Sequence, residues 1–568
     1  MHRHFTLAAD PAVDMTSLWL LAALLTPLIL AGIPAARRTA WLAVLAPLPA
    51  LTLALANPVT RVVDMEWLLL GASLGLDDTG RLFLLASAVI WLLAAVHAAD
   101  SLRSAYRAER FRVFFLLAMA GNFSLILAQD MLSFYLGFTL MGLSATGLVA
   151  HRGCAAARRA GRLYLAWTLI GEMLLFSALL LLVAESGGLE FAALQATNPA
   201  PLAVALLLTG FGIKLALPGL HVWLPLSYAA APAAGVAVLS GPMISAGLLG
   251  WMRFLPPGSE TLVNWGNGLI VIGMIGVVFG TLIGLMQKDP RVLLGYSSIS
   301  KMGLLAAGFG IALAQPQASV ALLSALTLYA INHLLVKSAL FIGLDLLERG
   351  SPRPWVLSGM LLFGLMLVGA PLTSGALAKS AFAAALPENA SWFGAWLATA
   401  ALASALLMGR LAFLLRQARS HQPPASDYAL TAWLLFVTLL ALLPLLAAGA
   451  QPSLSGGWPL AVALLLILLL WRYPSARLGA WVGRIPPGDI LHPMNHAASR
   501  LAGKLSAASF GRHLQQFTQS SRRRLLALQA WVPPRSSNPL AVALGWSLAG
   551  ALWLLLVGLI LLAMLRLD

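Results

Sequence analysis

Apolar runs of about twenty residues recur along almost the whole chain, and they limit its fold more than any other feature. A helix needs about 20 largely apolar residues to cross a bilayer. The chain has 568 residues, of which only 10% are charged, whereas soluble proteins carry about 25%. Sixteen candidate spans lie near residues 18–33, 41–56, 82–99, 111–128, 131–150, 164–184, 201–220, 230–255, 262–286, 292–314, 318–347, 357–385, 392–414, 429–448, 459–471 and 540–565. The sequence therefore predicts an all-α membrane protein.

Charge and cysteine content argue against several classes of function. The net charge of +16 comes from basic residues that punctuate the apolar runs. We therefore assign them to topology and to contact with anionic lipid rather than to nucleic acid. The single cysteine, Cys154, is too few for an iron–sulfur cluster or an internal disulfide. No CxxC, Walker A or dinucleotide-binding motif is present, so we expect no cofactor and no metal site in this chain.

Basic residues alternate along the chain in a way that predicts its orientation. Connections after even-numbered spans carry few of them, and connections after odd-numbered spans carry many. The basic connections hold Arg37, Arg38, Arg103, Arg107, Arg110, Arg112, Arg152, Arg158, Arg159, Arg162, Lys288, Arg291, Arg349, Arg353, Arg416 and Arg419. The positive-inside rule makes these connections cytoplasmic and the N-terminus external. We expect a multi-pass protein of the plasma (inner) membrane, without a signal-peptide cleavage pattern.

The pattern of spans divides the chain into six segments. These are 1–110 with the first three helices, 111–255 with helices 4–8, 262–414 with helices 9–13, 429–471 with peripheral transmembrane helices, 472–538, and the terminal span 540–565. In the fifth segment, arginines alternate with apolar residues at roughly helical spacing. This composition is typical of a basic amphipathic arm on the cytoplasmic face.

The second and third segments predict an inverted repeat. Each holds five helices, and an odd number forces the second unit to be inverted relative to the first. Lys214 and Lys379 lie 165 residues apart at corresponding places in the two units. The span that carries each of these two lysines is interrupted by proline and glycine. Inverted repeats with broken helices are typical of transporters.

Two lysines lie within these broken spans. The ring of Pro218 clashes with the carbonyl of Lys214, four residues earlier, so the helix should break there. Pro371 and Gly375 interrupt the helix before Lys379. A lysine at membrane depth costs about 3 kcal/mol, and unwound backbone is tolerated there only beside a cavity or inside the protein. We favour proton transfer for both lysines over snorkelling to an interface.

Further ionisable residues lie inside neighbouring spans. His333 and Lys337 share one helix face at i and i+4, which suits proton exchange between them. Lys301 follows a hydroxyl-rich stretch and is a candidate for proton uptake, with snorkelling to the interface as the alternative. Glu172 is the one acid well inside a span, and we expect it to pair with Lys214. A satisfied core histidine and a protonated structural glutamic acid are the alternatives. Asp130 is expected to cap span 5.

Four stretches resemble one membrane-protein family. They are QKDPRVLLGYSSISKMG (287–303), NHLLVKSALFIG (332–343), GAPLTSGALAKS (369–380) and KLALPGLHVWLPLSYAAAPAAGVAVLSG (214–241). These motifs are similar to those of the antiporter-like subunits of respiratory complex I, which are related to multi-subunit Na+/H+ antiporters and to subunits of membrane-bound hydrogenases. The resemblance covers roughly residues 77–420.

The resemblance implies a particular architecture. It implies about fourteen core helices with two inverted five-helix repeats, extra C-terminal helices, and a central axis of Lys, His and Glu. On that axis it places Lys214, Lys301, His333, Lys337 and Lys379. The arm followed by a last span resembles the largest family member, and also members found in hydrogenases and inorganic-carbon uptake systems.

The chain departs from the family in span 5. Where the family usually has a Trp-Glu pair, this chain has Phe138 and Thr139. The acidic partner of Lys214 is therefore missing at its usual place. Our hypothesis is that Glu172, one span later, substitutes for it.

Together these features predict a proton-translocating membrane subunit of a larger, redox-driven complex whose cofactors lie in partner subunits. The expected partners are other membrane subunits, lipid, and protons or Na+, but not nucleic acid. Three alternatives stay open: a Na+/H+ antiporter subunit, the membrane subunit of a bicarbonate or CO2 uptake complex, and a non-transporting scaffold for a peripheral enzyme.

Overall fold

Helices make up most of the computed structural model, which describes residues 15–56, 62–65, 71–103, 105, 107–195, 197–255, 259–416, 425–446, 457–472, 483 and 485–488. In chain order they are α1 (Met15–Gly32), α2 (Pro34–Arg38), α3 (Leu42–Leu45), α4 (Leu48–Ala56), α5 (Asp78–Ser101), α6 (Ala108–Leu127), α7 (Met131–Val149), α8 (Ala155–Ser186), α9 (Phe191–Gln195), α10 (Pro201–Lys214), α11 (Trp223–Ala230), α12 (Ala233–Val238), α13 (Ile244–Phe254), α14 (Val263–Leu285), α15 (Pro290–Ala314), α16 (Ser319–Glu348), α17 (Arg353–Val368), α18 (Ser374–Ala385), α19 (Phe393–Arg416), α20 (Asp427–Leu446) and α21 (Trp458–Arg472). A π-helical turn, Leu239–Met243, joins α12 to α13.

Helices long and apolar enough to cross a membrane correspond to most of the predicted spans. Within the described ranges, ten helical segments meet that description, and five shorter apolar helices accompany them. The prediction of a helical, multi-span protein is confirmed. The count of fourteen core helices, the inverted repeats and the six-segment division stay predictions. The terminal span 540–565 and most of the arm 472–538 lie outside the described residues.

A short sheet departs from the all-helical expectation. β1 (Val63–Met65) pairs antiparallel with β2 (Ala72–Leu74) in the connection before α5. The carboxylate of Asp130 accepts hydrogen bonds from the backbone N–H groups of Ser73 at 2.9 Å and Ser133 at 2.7 Å. Because Ser133 lies in the first turn of α7, Asp130 caps that helix, as predicted. Strands of three residues are too short to show an alternating pattern in the sequence.

The first helix break lies where Pro218 predicts it. α10 ends at Lys214, and the chain resumes a helix at α11. Within the break, Ala216 has a left-handed backbone conformation (φ 54°). This conformation is unfavourable for a residue with a side chain, so the packing around Ala216 must hold it in place. The indole N–H of Trp223 donates to the carbonyl of Ile213 at 2.9 Å. The carbonyl next to the helix end is thus satisfied inside the protein.

The second break differs slightly from its prediction. α17 ends at Val368, and the unwound segment contains Pro371 and Leu372, the latter also left-handed (φ 65°). Gly375 lies in the first turn of α18 rather than in the break. A Cβ atom at Gly375 would lie only 1.7 Å from the carbonyl oxygen of Met366. Glycine is therefore needed there for close packing against the end of α17.

Asp77 joins the start of α5 to the end of α13. Its carboxylate accepts hydrogen bonds from the N–H of Gly80 at 2.9 Å and from the guanidinium of Arg253 at 2.6 and 2.7 Å. Burial disfavours the charged carboxylate, but the hydrogen bonds and charge of Arg253 outweigh burial and lower the pKa of Asp77 from its usual value.

We expect Asp77→Asn to lower the melting temperature of the purified protein at neutral pH but not in acid. A carboxyl whose pKa is lowered by folding stabilises the fold above its unfolded pKa, and the effect disappears as the pH falls through the folded pKa. Asp77→Ala, which also removes the helix cap, should cost about 1 kcal/mol more. Thermal unfolding in detergent at several pH values measures both effects. A difference between wild type and Asp77→Asn that persists unchanged into acid would contradict this assignment.

Candidate functional site

The ionisable residues singled out in the sequence are buried between helices. The exposed fractions are 0% for Lys337, 1% for Lys301 and His333, 4% for Glu172 and 6% for Lys214. Lys379 is half-buried. The five buried groups do not reach the outer surface by snorkelling, so they depend on polar partners inside the protein.

Lys214 forms the first cluster with residues of α7 and α8. Its ammonium group donates to the hydroxyl of Tyr164 at 3.0 Å. It also lies 5.4 Å from the centre of the Tyr164 ring and 5.7 Å from that of Phe138, within the range of cation–π attraction. Because Lys214 is the last residue of α10, the negative end of the helix dipole also favours a cation there.

Glu172 lies in the same cluster but does not touch Lys214 directly. Both residues line one cavity, which has room for about one water molecule. The two residues form no direct ion pair among the interactions of the described chain. The Oε2 atom of Glu172 accepts a hydrogen bond from the hydroxyl of Thr139, and its Oε1 atom has no hydrogen-bond partner within the described residues. Lys214 and Glu172, which we expected to pair, are therefore separated by a cavity.

The second cluster lies between α15 and α16. Lys301 donates to the hydroxyl of Tyr329 at 3.0 Å, which repeats the lysine–tyrosine contact of the first cluster. Lys337 donates to the carbonyl of Leu294 at 2.9 Å. His333 lies between them on α16, and both its ring nitrogens are buried without a hydrogen-bond partner among the described residues. Lys337 lies one helical turn from His333 on the same face of α16.

Lys379 approaches this second cluster from the break between α17 and α18. Its charge interacts with that of Lys301, and its side chain passes Gly369. Asn332 of α16 bridges the break. Its amide donates to the carbonyl of Met366 at 3.4 Å and accepts from the hydroxyl of Ser374 at 2.8 Å. The break is thereby tied to the helix that carries His333.

The structure therefore brings the predicted residues together as two sets rather than one. Lys214 and Glu172 form the first set, and Lys301, His333, Lys337 and Lys379 form the second. α11, the half-helix after the first break, packs against α8 of the first set and α15 of the second. It therefore lies between the two sets. Tyr228 of α11 is completely buried there.

Sequence reasoning missed the partners of these lysines. Tyr164 and Tyr329 stand in apolar helices, where a tyrosine is unremarkable, and their contacts depend on tertiary packing. It also missed a buried ion-pair network around Asp345, which lies eight residues beyond Lys337 on α16. The i+4 spacing of Lys337, Phe341 and Asp345 was the available signal, but the apolar Phe341 interrupts it.

The geometry can be compared with known proteins. The profile of the NADH:quinone oxidoreductase/Mrp antiporter transmembrane family matches residues 128–408. This stretch includes both clusters. Across it, the chain matches this family. The resemblance found in the sequence motifs is confirmed.

Curated relatives of this antiporter family match part of their own length. Hydrogenase-4 component B of Escherichia coli (strain K12) is 33% identical over 237 residues, which are 40% of this chain and 35% of the relative. NADH-quinone oxidoreductase subunit N of Ectopseudomonas mendocina (strain ymp) is 29% identical over 303 residues, which are 50% of this chain and 61% of the relative. The matches thus span between one third and three fifths of these relatives.

Solved structures share the fold of the antiporter family. The Mrp complex from Dietzia sp. DQ12-45-1b contains a chain with a TM-score of 0.69 and 21% identity, covering 93% of this chain and 64% of that chain. The membrane-bound sulfane sulfur reductase, an archaeal respiratory membrane complex, contains one with a TM-score of 0.66 and 20% identity, covering 80% and 98%. At these identities the likeness concerns the fold alone.

We expect Asn332→Leu to destabilise the protein by about 1–3 kcal/mol, because it leaves the Met366 carbonyl and the Ser374 hydroxyl without this buried partner. Ser374→Ala is the matched control, since it removes one of the two bonds and should cost less. Thermal unfolding in detergent gives the comparison. Equal stability of Asn332→Leu and wild type would show that Asn332 does not hold the break together.

Proposed function

We propose that the chain translocates protons across the membrane as an antiporter-like subunit of a larger complex. The observation that carries this proposal is the burial of Lys214, Lys301, His333 and Lys337 between helices, beside two stretches of unwound backbone. A non-transporting scaffold has no use for four ionisable groups at this depth, because each is costly to place there.

The partners of the three lysines suit proton exchange better than permanent ion pairing. The ammonium groups contact neutral oxygens, namely the hydroxyls of Tyr164 and Tyr329 and the carbonyl of Leu294. A neutral partner orients the ammonium group without fixing its charge. The protonation of each lysine then responds to charges that appear or disappear nearby. His333 on the same helix as Lys337 provides a ring with two nitrogens, one able to accept a proton and one able to donate.

The replacement of the usual span-5 acid also supports the proposal. Phe138 and Thr139 occupy that place, and both touch the first cluster: Phe138 lies over the Lys214 ammonium, and Thr139 donates to Glu172. Glu172 thus reaches the place at which the family acid usually stands, from α8 instead of α7. In our proposal Glu172 takes the role of that acid.

In the proposed order, protons pass along Lys214, His333 and Lys337 toward Lys379, with Lys301 at the side of uptake. The driving event is a redox reaction in partner subunits. We place the complex in the plasma (inner) membrane with the N-terminus outside, from the alternation of basic connections. The Hydrogenase-4, NADH-quinone oxidoreductase and Mrp names of the relatives agree with a multi-subunit assembly.

We expect Lys337→Ala to reduce proton flux by about 100-fold or more, because the variant removes the proton carrier at the centre of the second cluster. The full chain is reconstituted in liposomes containing a pH-sensitive dye, and a potassium-diffusion potential drives uptake. Lys288→Ala is the matched control, since Lys288 is exposed in the loop between α14 and α15. Flux in Lys337→Ala equal to that in Lys288→Ala would refute the proposed role, and flux that requires Na+ would favour the Na+/H+ antiporter alternative.

A second prediction concerns the substitute acid. Glu172→Gln should reduce flux nearly as much as Lys214→Ala, because both remove one partner of the first cluster. The double variant Thr139→Glu/Glu172→Gln should recover most of the flux, since the Thr139 hydroxyl already contacts the Glu172 carboxylate. Unchanged uptake in Glu172→Gln would remove Glu172 from the mechanism.

A further inference from the structure

A buried network of ion pairs occupies the end of α16 beyond Lys337. Asp345 accepts a hydrogen bond from Nε2 of His97 at 2.9 Å and lies 3.7 Å from Arg291. Arg291 also pairs with Glu348 at 2.5 Å. About one turn farther along, Arg349, the residue after the end of α16, pairs with Asp100 of α5 at 2.6 Å. His97 and Asp345 are 1% and 5% exposed, so this network is built into the protein interior.

The charges of the network do not cancel. Its ion-paired members are three carboxylates, two guanidinium groups and one imidazole, namely Asp100, Asp345, Glu348, Arg291, Arg349 and His97. With a neutral imidazole, one negative charge is uncompensated inside the protein. Such a charge is costly unless a cation or a proton joins it.

Other groups surround the network, among them Ser426, whose backbone N–H donates to Asp100, and the exposed Asp427 that follows it. Arg152, in the connection after α7, and Asp289, at the start of α15, act on it from the rim with opposite charges. α12 packs against both α5 and α16 and contributes only apolar residues. Tyr428 of α20 packs against Trp41 instead. A proton on His97 would balance the charges of the ion-paired members.

His97 has a free place for that proton. When Nε2 carries a hydrogen and donates it to Asp345, Nδ1 holds a lone pair. Nδ1 is buried and has no hydrogen-bond partner among the described residues. A proton that binds at Nδ1 gives the doubly protonated imidazole, and transfer of the Nε2 proton to Asp345 then returns the ring to its neutral form.

The network continues the row of polar residues that carries the second cluster. Tyr329, His333, Lys337, Phe341 and Asp345 follow one another on α16 at intervals of four, so successive members are neighbours on the helix surface. α15 runs alongside, where Leu294 binds Lys337 and Arg291, one turn earlier, binds Asp345. Asp345 lies about 12 Å along the helix from Lys337.

Only Phe341 separates the two sites along this row. Its ring meets that of Tyr228 at 5.2 Å in an edge-to-face contact. Tyr228 stands on α11, the half-helix that follows the first break. The aromatic pair therefore stands beside the row between Asp345 and Lys337 and joins it to the half-helix that follows the first break.

We infer that His97 and Asp345 form a proton-binding site that supplies Lys337, at the end of α16 that the basic connections predict to be cytoplasmic. The inference rests on the proposed function for its use of the proton, but the site itself is testable without transport. His97 is the proton acceptor, Asp345 passes the proton along α16 toward Lys337, and Arg291 holds Asp345 in place.

The first experiment observes the imidazole directly. The full chain is labelled with 15N-histidine, reconstituted in bilayers and studied by solid-state NMR between about pH 5 and 8. The His97 signal is the one absent in His97→Gln. At the same pH we expect a larger share of doubly protonated His97 in the wild type than in Asp345→Asn, because the variant lacks the carboxylate that faces the imidazole. A His97 that is neutral throughout this range in the wild type would refute the site.

The second experiment tests supply to Lys337 in the liposome assay. We expect His97→Gln and Asp345→Asn to reduce proton flux at least tenfold, within the range for loss of a proton-transfer group. Asp77→Asn is the matched control, because it removes a paired carboxylate outside the network. Wild-type flux in both network variants would refute the supply role and leave the proposed translocation intact. Absence of flux in the wild type as well would overturn the proposed function, and the supply role with it, while the NMR result still decides the proton site.

Discussion

The cost of placing charge and unpaired backbone in an apolar interior organises this protein. Each buried lysine cluster adjoins a stretch of unwound chain, and every carbonyl or hydroxyl that holds a cation must be supplied from within the protein. The structure meets this demand with side chains from neighbouring helices. Trp223 satisfies the carbonyl at the end of α10, and Asn332 bridges the end of α17 and the start of α18. These contacts stabilise breaks that a lone helix in lipid would not tolerate.

The two lysine clusters solve the same problem in the same way. In each, an ammonium group meets a phenol hydroxyl and lies near the face of the same ring, at Tyr164 in one and Tyr329 in the other. The phenol offers both an oxygen acceptor and a polarisable surface. A carboxylate in that place would bind the cation more tightly and would oppose loss of its proton. The acid of the first cluster, Glu172, instead stands across a cavity.

Local features of the sequence were enough to predict the helices, the breaks and the buried ionisable residues. Pro218 predicted the end of α10 because its ring clashes with a carbonyl within one turn. Asp130 predicted the N-cap of α7 because it contacts a backbone N–H three residues later. The contacts that the sequence did not reveal join distant positions. His97 and Asp345 are 248 residues apart, and nothing near either residue indicates the other. The β1–β2 hairpin was missed for a different reason, since its strands are too short for a periodic signal.

α16 runs without interruption for 30 residues, in contrast to the broken helices around it. Tyr329, His333, Lys337 and Asp345 are therefore held at fixed spacings on one stiff rod. An axial displacement of about 1.5 Å, the rise of one residue, would shift the whole row past α15 at once and exchange the oxygens that face each cation. Any axial movement of α16 would therefore act on all four side chains together.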